Sequence, residues 1–254
     1  MGREQRVIRR RRSGRPRLGQ EPLTREGILA AALRIVDEGG LGALSMRSLA
    51  AELGVNPMSI YHHLPGKEAV ISGIVGVVFS GMRVPPSEGL SWQERVRAYA
   101  RAHREVVRSH PNLALQIVSD AAAVSDAVLS SAEPLYAALE NAGLSPAEIV
   151  RAADSLVDFV HGFSLGEASN PSGTFDIGPE LLARLESRPV DEVPALRRVF
   201  GALGEEGARY DFDAAFEAGL DILVGGIEAV AGDRSRPGRT GPGQDDRGRA
   251  GSGA

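Results

Sequence analysis

The chain has no cysteine, a single tryptophan and only 5% aromatic residues among its 254 amino acids. Without cysteine it can form no disulfide, no thiolate nucleophile and no cysteine-ligated zinc site. The absence is compatible with a reducing compartment. Thiol catalysis and zinc sites of the cysteine type are therefore excluded as functions.

A long hydrophobic run is also missing. The most apolar stretch, residues 69–82, is too short and too rich in glycine to span a bilayer comfortably. The arginine-rich first residues are not followed by the apolar segment of a signal peptide. We therefore expect a soluble, cytoplasmic protein with no membrane partner.

Two nucleotide-binding motifs are absent. The chain has neither a Gly-x-Gly-x-x-Gly after a strand nor the phosphate loop Gly-x-x-x-x-Gly-Lys. We expect a protein that is not an enzyme and that needs no cofactor. One loose acid–base set, formed by Asp158, His161 and Ser164, keeps a helical-bundle enzyme as an alternative.

The charge is distributed unevenly. Residues 1–67 carry 12 Lys and Arg against 6 Asp and Glu, a net charge of +6, so the remaining 17 basic and 27 acidic residues leave −10. A basic first part on an acidic remainder indicates that only the first part meets a polyanion. A randomly charged, solvated surface is the alternative.

Composition and periodicity divide the chain into four parts. Residues 1–19 form an arginine-rich arm without apolar periodicity, which we expect to be disordered. Two helical parts follow, at 20–67 and 68–231, and residues 232–254 form a tail that we also expect to be disordered. The arm is either a solubility tail or lies in the DNA minor groove or along the phosphates.

The apolar period is helical almost throughout, which predicts an all-α fold with three N-terminal helices and a multi-helix bundle. Thr24 is the expected N-cap of the first helix, and Gly39 and Gly40 end it. Residues 168–194 are rich in proline and glycine and predict a long excursion, and no strand is expected. Further helices are predicted near 46–53, from Pro57, and near 67–82, 92–108, 113–122, 126–141, 146–167, 180–186, 194–203 and 212–231.

The segment from Ser45 to Leu64 predicts two short helices joined by a tight turn. Gly54 suits the left-handed residue of that turn, and Pro57 suits the first position of the next helix. This is the layout of a helix-turn-helix, whose second helix enters the DNA major groove.

The candidate DNA contacts surround this second helix. Its first turn faces base edges, later side chains reach the flanking backbone, and cations at neighbouring helix starts reach phosphates. Adjacent histidines on a helix point about 100° apart, which disfavours a metal pair. The candidates are Arg47, Pro57, Met58, Ser59, Tyr61, His62, His63 and Lys67.

The run from Leu44 to Ile71 resembles the DNA-binding region of the TetR family of bacterial transcriptional repressors. The resemblance is carried by Leu-Ala-Ala-Glu-Leu-Gly-Val-Asn and by Tyr-His-His-Leu-Pro-Gly-Lys-Glu. It implies operator contacts at the candidates above except Pro57, and adds Ser45. Leu64 departs from the phenylalanine of most members, and Pro57 departs from a small or polar residue, so the base preference stays open.

In the helix at 92–108, Tyr99 and His103 share an otherwise apolar face. They are either satisfied core residues or groups that orient a ligand. The remainder is similar to the tetracycline-repressor type of C-terminal domain, which implies a pocket at Tyr99, His103, Ile117, Gly162 and Phe163. That family binds magnesium through a histidine and a glutamate, and Ile117 and approximately Asn170 occupy those positions here. We therefore expect an apolar or aromatic inducer without a metal.

Two helices, near 146–167 and 212–231, carry apolar stripes that are wide enough to need a second partner surface. The alternative is a core within one chain. The resemblance implies a homodimer through these helices. It also implies that the dimer binds a near-palindromic operator in double-stranded DNA and that an inducer releases the protein from it. Gly73, Gly76 and Gly81 would then ease bending of the connecting helix. A ligand-independent DNA-binding protein is the other alternative.

Overall fold

A computed structural model describes residues 22–113, 126–170, 174–176, 183–207 and 209–234. The predicted arm at 1–19, the tail beyond Arg234 and Ile117 lie outside the described residues. The helix predicted at 113–122 does so beyond its first residue.

The helices confirm the predicted all-α class. Most bounds agree with the sequence pattern to within a few residues, and short helical stretches also occupy residues 111–113 and 183–186. Helices with defined bounds are α1 (Arg25–Ala43), α2 (Met46–Leu53), α3 (Pro57–Tyr61), α4 (Lys67–Ser80), α5 (Trp92–Ser109), α6 (Asp126–Asn141), α7 (Pro146–Ala168), α8 (Pro194–Gly207) and α9 (Phe212–Arg234).

A small antiparallel ribbon was not expected from the sequence. Strand β1 (Thr174–Asp176) pairs with β2 (Arg209–Asp211), and Phe175 lies opposite Tyr210. Strands of three residues are too short to show the alternation that identifies a strand in a sequence. Their pairing joins parts of the chain separated by α8, so only the tertiary structure reveals it.

The chain divides into two compact units between Ile74 and Val75, inside α4 and beyond the boundary expected at Lys67. We call their described parts the head (22–74) and the body (75–234).

The head is built around the buried face of α1. Its apolar spacing places Ile28, Leu29 and Val36 in a core with Leu49 of α2 and Ile60 of α3. The Thr24 hydroxyl accepts a hydrogen bond from the Gly27 amide at 3.0 Å, which confirms the predicted N-cap. Gly40 breaks the helix with φ 71° and ψ 175°, although helical residues resume up to Ala43.

The body packs α5, α6, α7 and α9 around one aliphatic and aromatic core that contains Leu139, Leu156 and Phe216. Ion pairs also join α5 to α9 in antiparallel order. Arg97 contacts Asp221 at 2.8 Å, and Arg101 contacts Glu217 at 2.6 Å. Because these pairs are partly exposed, each contributes less than about 1 kcal/mol, and their main effect is on helix register.

Gly73 is a packing position rather than a point of easy bending. A Cβ atom there would lie 2.5 Å from Cδ2 of Leu29 and 3.1 Å from its Cδ1. Leu29 is fully buried, so its side chain has little room to retreat. The close approach of α4 to α1 therefore requires glycine, contrary to the role in bending expected from the sequence.

We expect Gly73→Ala to destabilise the head by about 1 kcal/mol, since overpacking costs about 1–3 kcal/mol and improved helix propensity recovers about 1 kcal/mol. Gly42→Ala is the matched control, because nothing lies within 4 Å of a Cβ built at Gly42. Denaturant unfolding of the full chain measures both variants. Equal or higher stability of Gly73→Ala would show that Leu29 repacks freely.

Candidate DNA interface and effector site

The turn of the helix-turn-helix has the geometry predicted from its sequence. Gly54 lies in the left-handed region with φ 64° and ψ 29°, and the Val55 amide donates to the Ala50 carbonyl at 3.0 Å. The Asn56 side chain then caps α3 by accepting from the Met58 amide at 2.9 Å. These local bonds fix the direction in which α3 leaves the turn.

Helix α3 has one buried and one exposed face. Ile60 is buried in the head, and Leu64 is buried just after the helix. Met58 is 62% exposed and Tyr61 is 43% exposed. Among the other candidates on and after α3, Pro57, His62 and His63 are exposed and Ser59 is half-buried.

The candidates outside α3 are exposed as well. Arg47 extends from the first turn of α2, and the Lys67 Nζ donates to the Leu41 carbonyl at 3.2 Å. The Ser45 hydroxyl accepts from the Ser48 amide at 3.0 Å, so it also caps α2. Ser45 thus has a structural role that the resemblance alone did not indicate.

A chain of polar groups crosses the interior of the body between α5 and α7. The Tyr99 hydroxyl lies 3.4 Å from Nδ1 of His103, and Nε2 of His103 lies 3.0 Å from Nε2 of His161. A neutral imidazole donates from one nitrogen and accepts at the other. Tyr99 can therefore donate to His103, which in turn donates to His161.

Burial keeps these groups uncharged. Desolvation, with a smaller contribution from His161, lowers the pKa of His103 to about 3. Desolvation also lowers the pKa of His161, against a weaker opposing effect of Asp158. Burial raises the pKa of Tyr99 to about 12. At neutral pH the chain is thus a neutral hydrogen-bonding unit.

Ser164 lies next to this chain on α7, three residues after His161 and therefore on the same helix face. Its side chain is buried, and its hydroxyl has no hydrogen-bond partner among the described residues. An unsatisfied buried hydroxyl costs about 1–3 kcal/mol. The missing bond to His161 also argues against the acid–base set, because a nucleophilic serine needs contact with its base.

Residues 162–166 read Gly-Phe-Ser-Leu-Gly and match the letters of a hydrolase nucleophile elbow. They lie inside α7, however, whereas such an elbow is a sharp turn between a strand and a helix. The local geometry of a hydrolase nucleophile is therefore absent here.

Phe79 borders the polar chain, and a second cluster of aromatic rings and one ion pair lies where α5, α7 and α9 meet. Phe79 meets His103 edge to face at 5.3 Å, and Phe163 meets Phe216 at 5.3 Å. The Arg104 guanidinium lies 4.5 Å from the Phe216 ring centre and bonds both oxygens of Glu167, at 2.9 and 3.0 Å. Arg104 also contacts Asp213 of α9 at 2.8 Å.

Among the predicted ligand-binding residues, the structure brings together Tyr99 and His103. Phe163 packs with Phe216 and Arg104 instead, and Gly162 lies on the exposed face of α7. Sequence reasoning placed His161 and Ser164 only in a loose acid–base set and missed that His161 meets His103 and that Ser164 is buried. The available signal was that Ser164 continues the buried apolar stripe of α7.

The apolar stripes of α7 and α9 are used largely within the chain. Phe216, Leu220 and Val224 are buried, and a Cβ at Gly219 would lie 2.7 Å from Cζ of Phe159. Ile222 remains 76% exposed. A groove of about 340 Å³ separates the exposed parts of the two helices, and its lining includes Leu144, Ala152, Ile222, Gly226, Ile227 and Val230.

Two negative findings apply to the described part of the chain. Its helices are all too short or too polar to cross a membrane. It also contains no group of three or more His, Asp or Glu side chains placed to hold a metal ion.

Comparison with known proteins identifies the family. Residues 28–74 match the family model for bacterial regulatory proteins of the tetR family. Residues 85–231 match the model for the tetracyclin repressor-like C-terminal domain. The chain belongs to the TetR family. It is a DNA-binding transcriptional regulator with an N-terminal helix-turn-helix.

Relatives of this TetR-family chain are regulators too. An HTH-type transcriptional regulator of Saccharopolyspora erythraea is 32% identical over 214 residues, covering 83% of this chain and 86% of that protein. The HTH-type transcriptional repressor DrrR1 of Streptomyces coeruleorubidus is 30% identical over 229 residues, covering 87% and 83%. ActR of Streptomyces coelicolor, solved with actinorhodin, is 30% identical with a TM-score of 0.72, covering 84% of this chain and 100% of that chain.

The lowered pKa values of His103 and His161 predict acid sensitivity. From pH 6.5 down to about 3 the unfolded chain takes up a proton that the buried His103 of the folded chain does not, and the lowered pKa of His161 acts in the same direction. The free energy of unfolding should therefore fall as the pH is lowered, by up to about 1.4 kcal/mol per pH unit for His103. His103→Gln should reduce this slope in denaturant unfolding, with His63→Gln at an exposed histidine as reference. Parallel slopes would contradict the assignment.

Proposed function

We propose that this TetR-family regulator is a homodimeric, cytoplasmic repressor, released from a near-palindromic operator by a small apolar or aromatic inducer. The observation that carries the proposal is the neutral cluster of Tyr99, His103, His161 and Ser164 inside the body, in which the Ser164 hydroxyl has no hydrogen-bond partner among the described residues. Unsatisfied buried hydroxyls are rare, and a bound ligand that bonds this one would offset its cost.

The head supports the operator side of the proposal. With Ile60 packed inward, α3 leaves Met58 and Tyr61 exposed. Pro57, the first residue of the helix, is exposed as well. Met58 can contact a thymine methyl group, Ser59 can hydrogen-bond a base or phosphate, and Tyr61 can reach the flanking backbone. Arg47 and Lys67 add positive charge beside α3.

The exposed apolar side chains of α7 and α9 support the dimer. Val150 and Leu165 of α7 and Ile222 and Val230 of α9 stay exposed after the body core has formed. Gly225 and Gly226 leave open space on α9, where a second copy can approach closely. A twofold dimer would present two heads to successive major grooves about 34 Å apart, which requires a near-palindrome.

Induction follows from differential binding. A ligand held between α5 and α7 that binds more tightly to an arrangement with weak DNA affinity raises the population of that arrangement. The observed DNA affinity then falls. The shift cannot exceed the ligand's own difference in affinity for the two states. Helix α4 begins in the head and ends in the body, so it is the covalent route for this coupling.

Selection from random duplexes tests operator recognition, and we expect a near-palindrome. On the selected duplex, Arg47→Ala should weaken binding by about tenfold and reduce the salt slope by about 0.9, the contribution of one phosphate contact. Arg198→Ala is the matched control, since Arg198 is an exposed arginine of α8 in the body. Equal effects of the two variants would place Arg47 outside the interface.

Ile222→Glu tests the dimer. Because Ile222 is 76% exposed, the change should leave the fold of one chain intact but introduce charge at the proposed interface. We expect sedimentation equilibrium to show a weaker dimer by at least about tenfold, together with lost binding to the palindrome. Val199→Glu, at a 58% exposed position of α8, is the control. A fully dimeric Ile222→Glu would exclude this interface.

A further inference from the structure

Ser164 carries a buried hydroxyl group that has no hydrogen-bond partner among the described residues. The residue is 3% exposed. It lies one helical turn from His161, whose Nε2 is 3.0 Å from Nε2 of His103. Buried hydroxyls in folded proteins almost always have a partner, so a missing one indicates a group that a ligand supplies.

Charge narrows the class of that ligand. Both imidazoles and the Tyr99 hydroxyl are neutral near pH 7, because burial lowers the pKa of His103 and His161 and raises that of Tyr99. The adjacent cation, Arg104, is already bonded to both oxygens of Glu167 and to Asp213. An anionic ligand would lose its hydration here without gaining a free cation, and a cationic ligand would meet a carboxylate that is already paired.

The surroundings narrow the class further. His103 is bordered by the edges of Phe79 and Tyr99, with ring centres at 5.3 and 5.7 Å. Such rings favour a flat aromatic molecule through edge-to-face and stacked contacts.

We propose that Ser164, His161 and His103 form the polar end of a binding site for an uncharged aromatic molecule that carries a hydroxyl group. The ligand hydroxyl forms hydrogen bonds with the Ser164 hydroxyl and with Nδ1 of His161, the ring nitrogen that does not face His103. The aromatic ring of the ligand lies beside Phe79 and Tyr99. Selectivity is by charge, since the buried groups of the site among the described residues offer hydrogen bonds but no ion, and the Asp158 carboxylate that acts on His161 is exposed to solvent. This inference rests on the proposed inducer-responsive function.

Isothermal titration of the full-length protein with naphthol, naphthalene and naphthoate near neutral pH tests the proposal. These probes share one ring system and differ only in the polar group. We expect naphthol to bind best, and naphthalene and naphthoate to bind at least about tenfold more weakly, the effect of one good hydrogen bond. Absence of naphthol binding, or naphthoate binding that equals it, overturns the proposal.

Two serine variants locate the effect. Ser164→Ala should reduce naphthol affinity to the level of naphthalene, while its melting temperature stays equal or rises, because an unsatisfied hydroxyl is removed. Ser169→Ala, near the end of the same helix, removes an exposed hydroxyl that is bonded to the Leu165 carbonyl and should keep the affinity. Undiminished naphthol preference in Ser164→Ala overturns the assignment.

A mobility-shift assay with the selected operator separates this inference from the proposed function. Release of the operator by naphthol, and less release in Ser164→Ala, supports both. Selective naphthol binding without any change in operator affinity leaves the ligand class standing and overturns the proposed induction instead.

Discussion

The packing of α5 between α7 and α9 is the constraint on which the body depends, and it places two imidazoles in contact in an apolar interior. Nε2 atoms 3.0 Å apart can share a hydrogen bond only while at least one ring is uncharged. The same packing buries both imidazoles, and this burial lowers the pKa of each histidine. The core of the body and the neutral hydrogen-bonding site that we propose in it therefore have one physical origin.

Helix α5 sorts polar groups by helix face. His103 and Arg104 are adjacent, but their side chains point about 100° apart around α5. His103 therefore meets His161 of α7, whereas Arg104 meets Glu167 near the end of α7 and Asp213 of α9. The arginines thereby neutralise the acidic face of α9, while the interior face of α5 stays uncharged. Among the described residues, this separation leaves the buried cluster with uncharged hydrogen-bonding groups and the Asp158 carboxylate exposed to solvent, which is the basis of the proposed selectivity.

Much of the head could be predicted because its determinants are local. The turn needs a left-handed residue, which Gly54 supplies, while Asn56 and Pro57 begin one helix and Thr24 caps another. These features depend only on neighbouring residues. The exposed positions of Met58 and Tyr61 then follow from the inward packing of Ile60. The role of Gly73 could not be predicted, since it depends on Leu29, which is distant in sequence.

The sequence by itself determined the helical class, the turn and cap chemistry of the head and the residues that α3 leaves exposed, because helix period and turn geometry act over a few neighbouring residues. Only the tertiary structure decided that His161 meets His103, that β1 pairs with β2 and that the Ser164 hydroxyl has no hydrogen-bond partner in the described part of the chain. These contacts join separate helices and strands, and their distances arise from how side chains fill a shared interior. No periodicity within a single segment records that information.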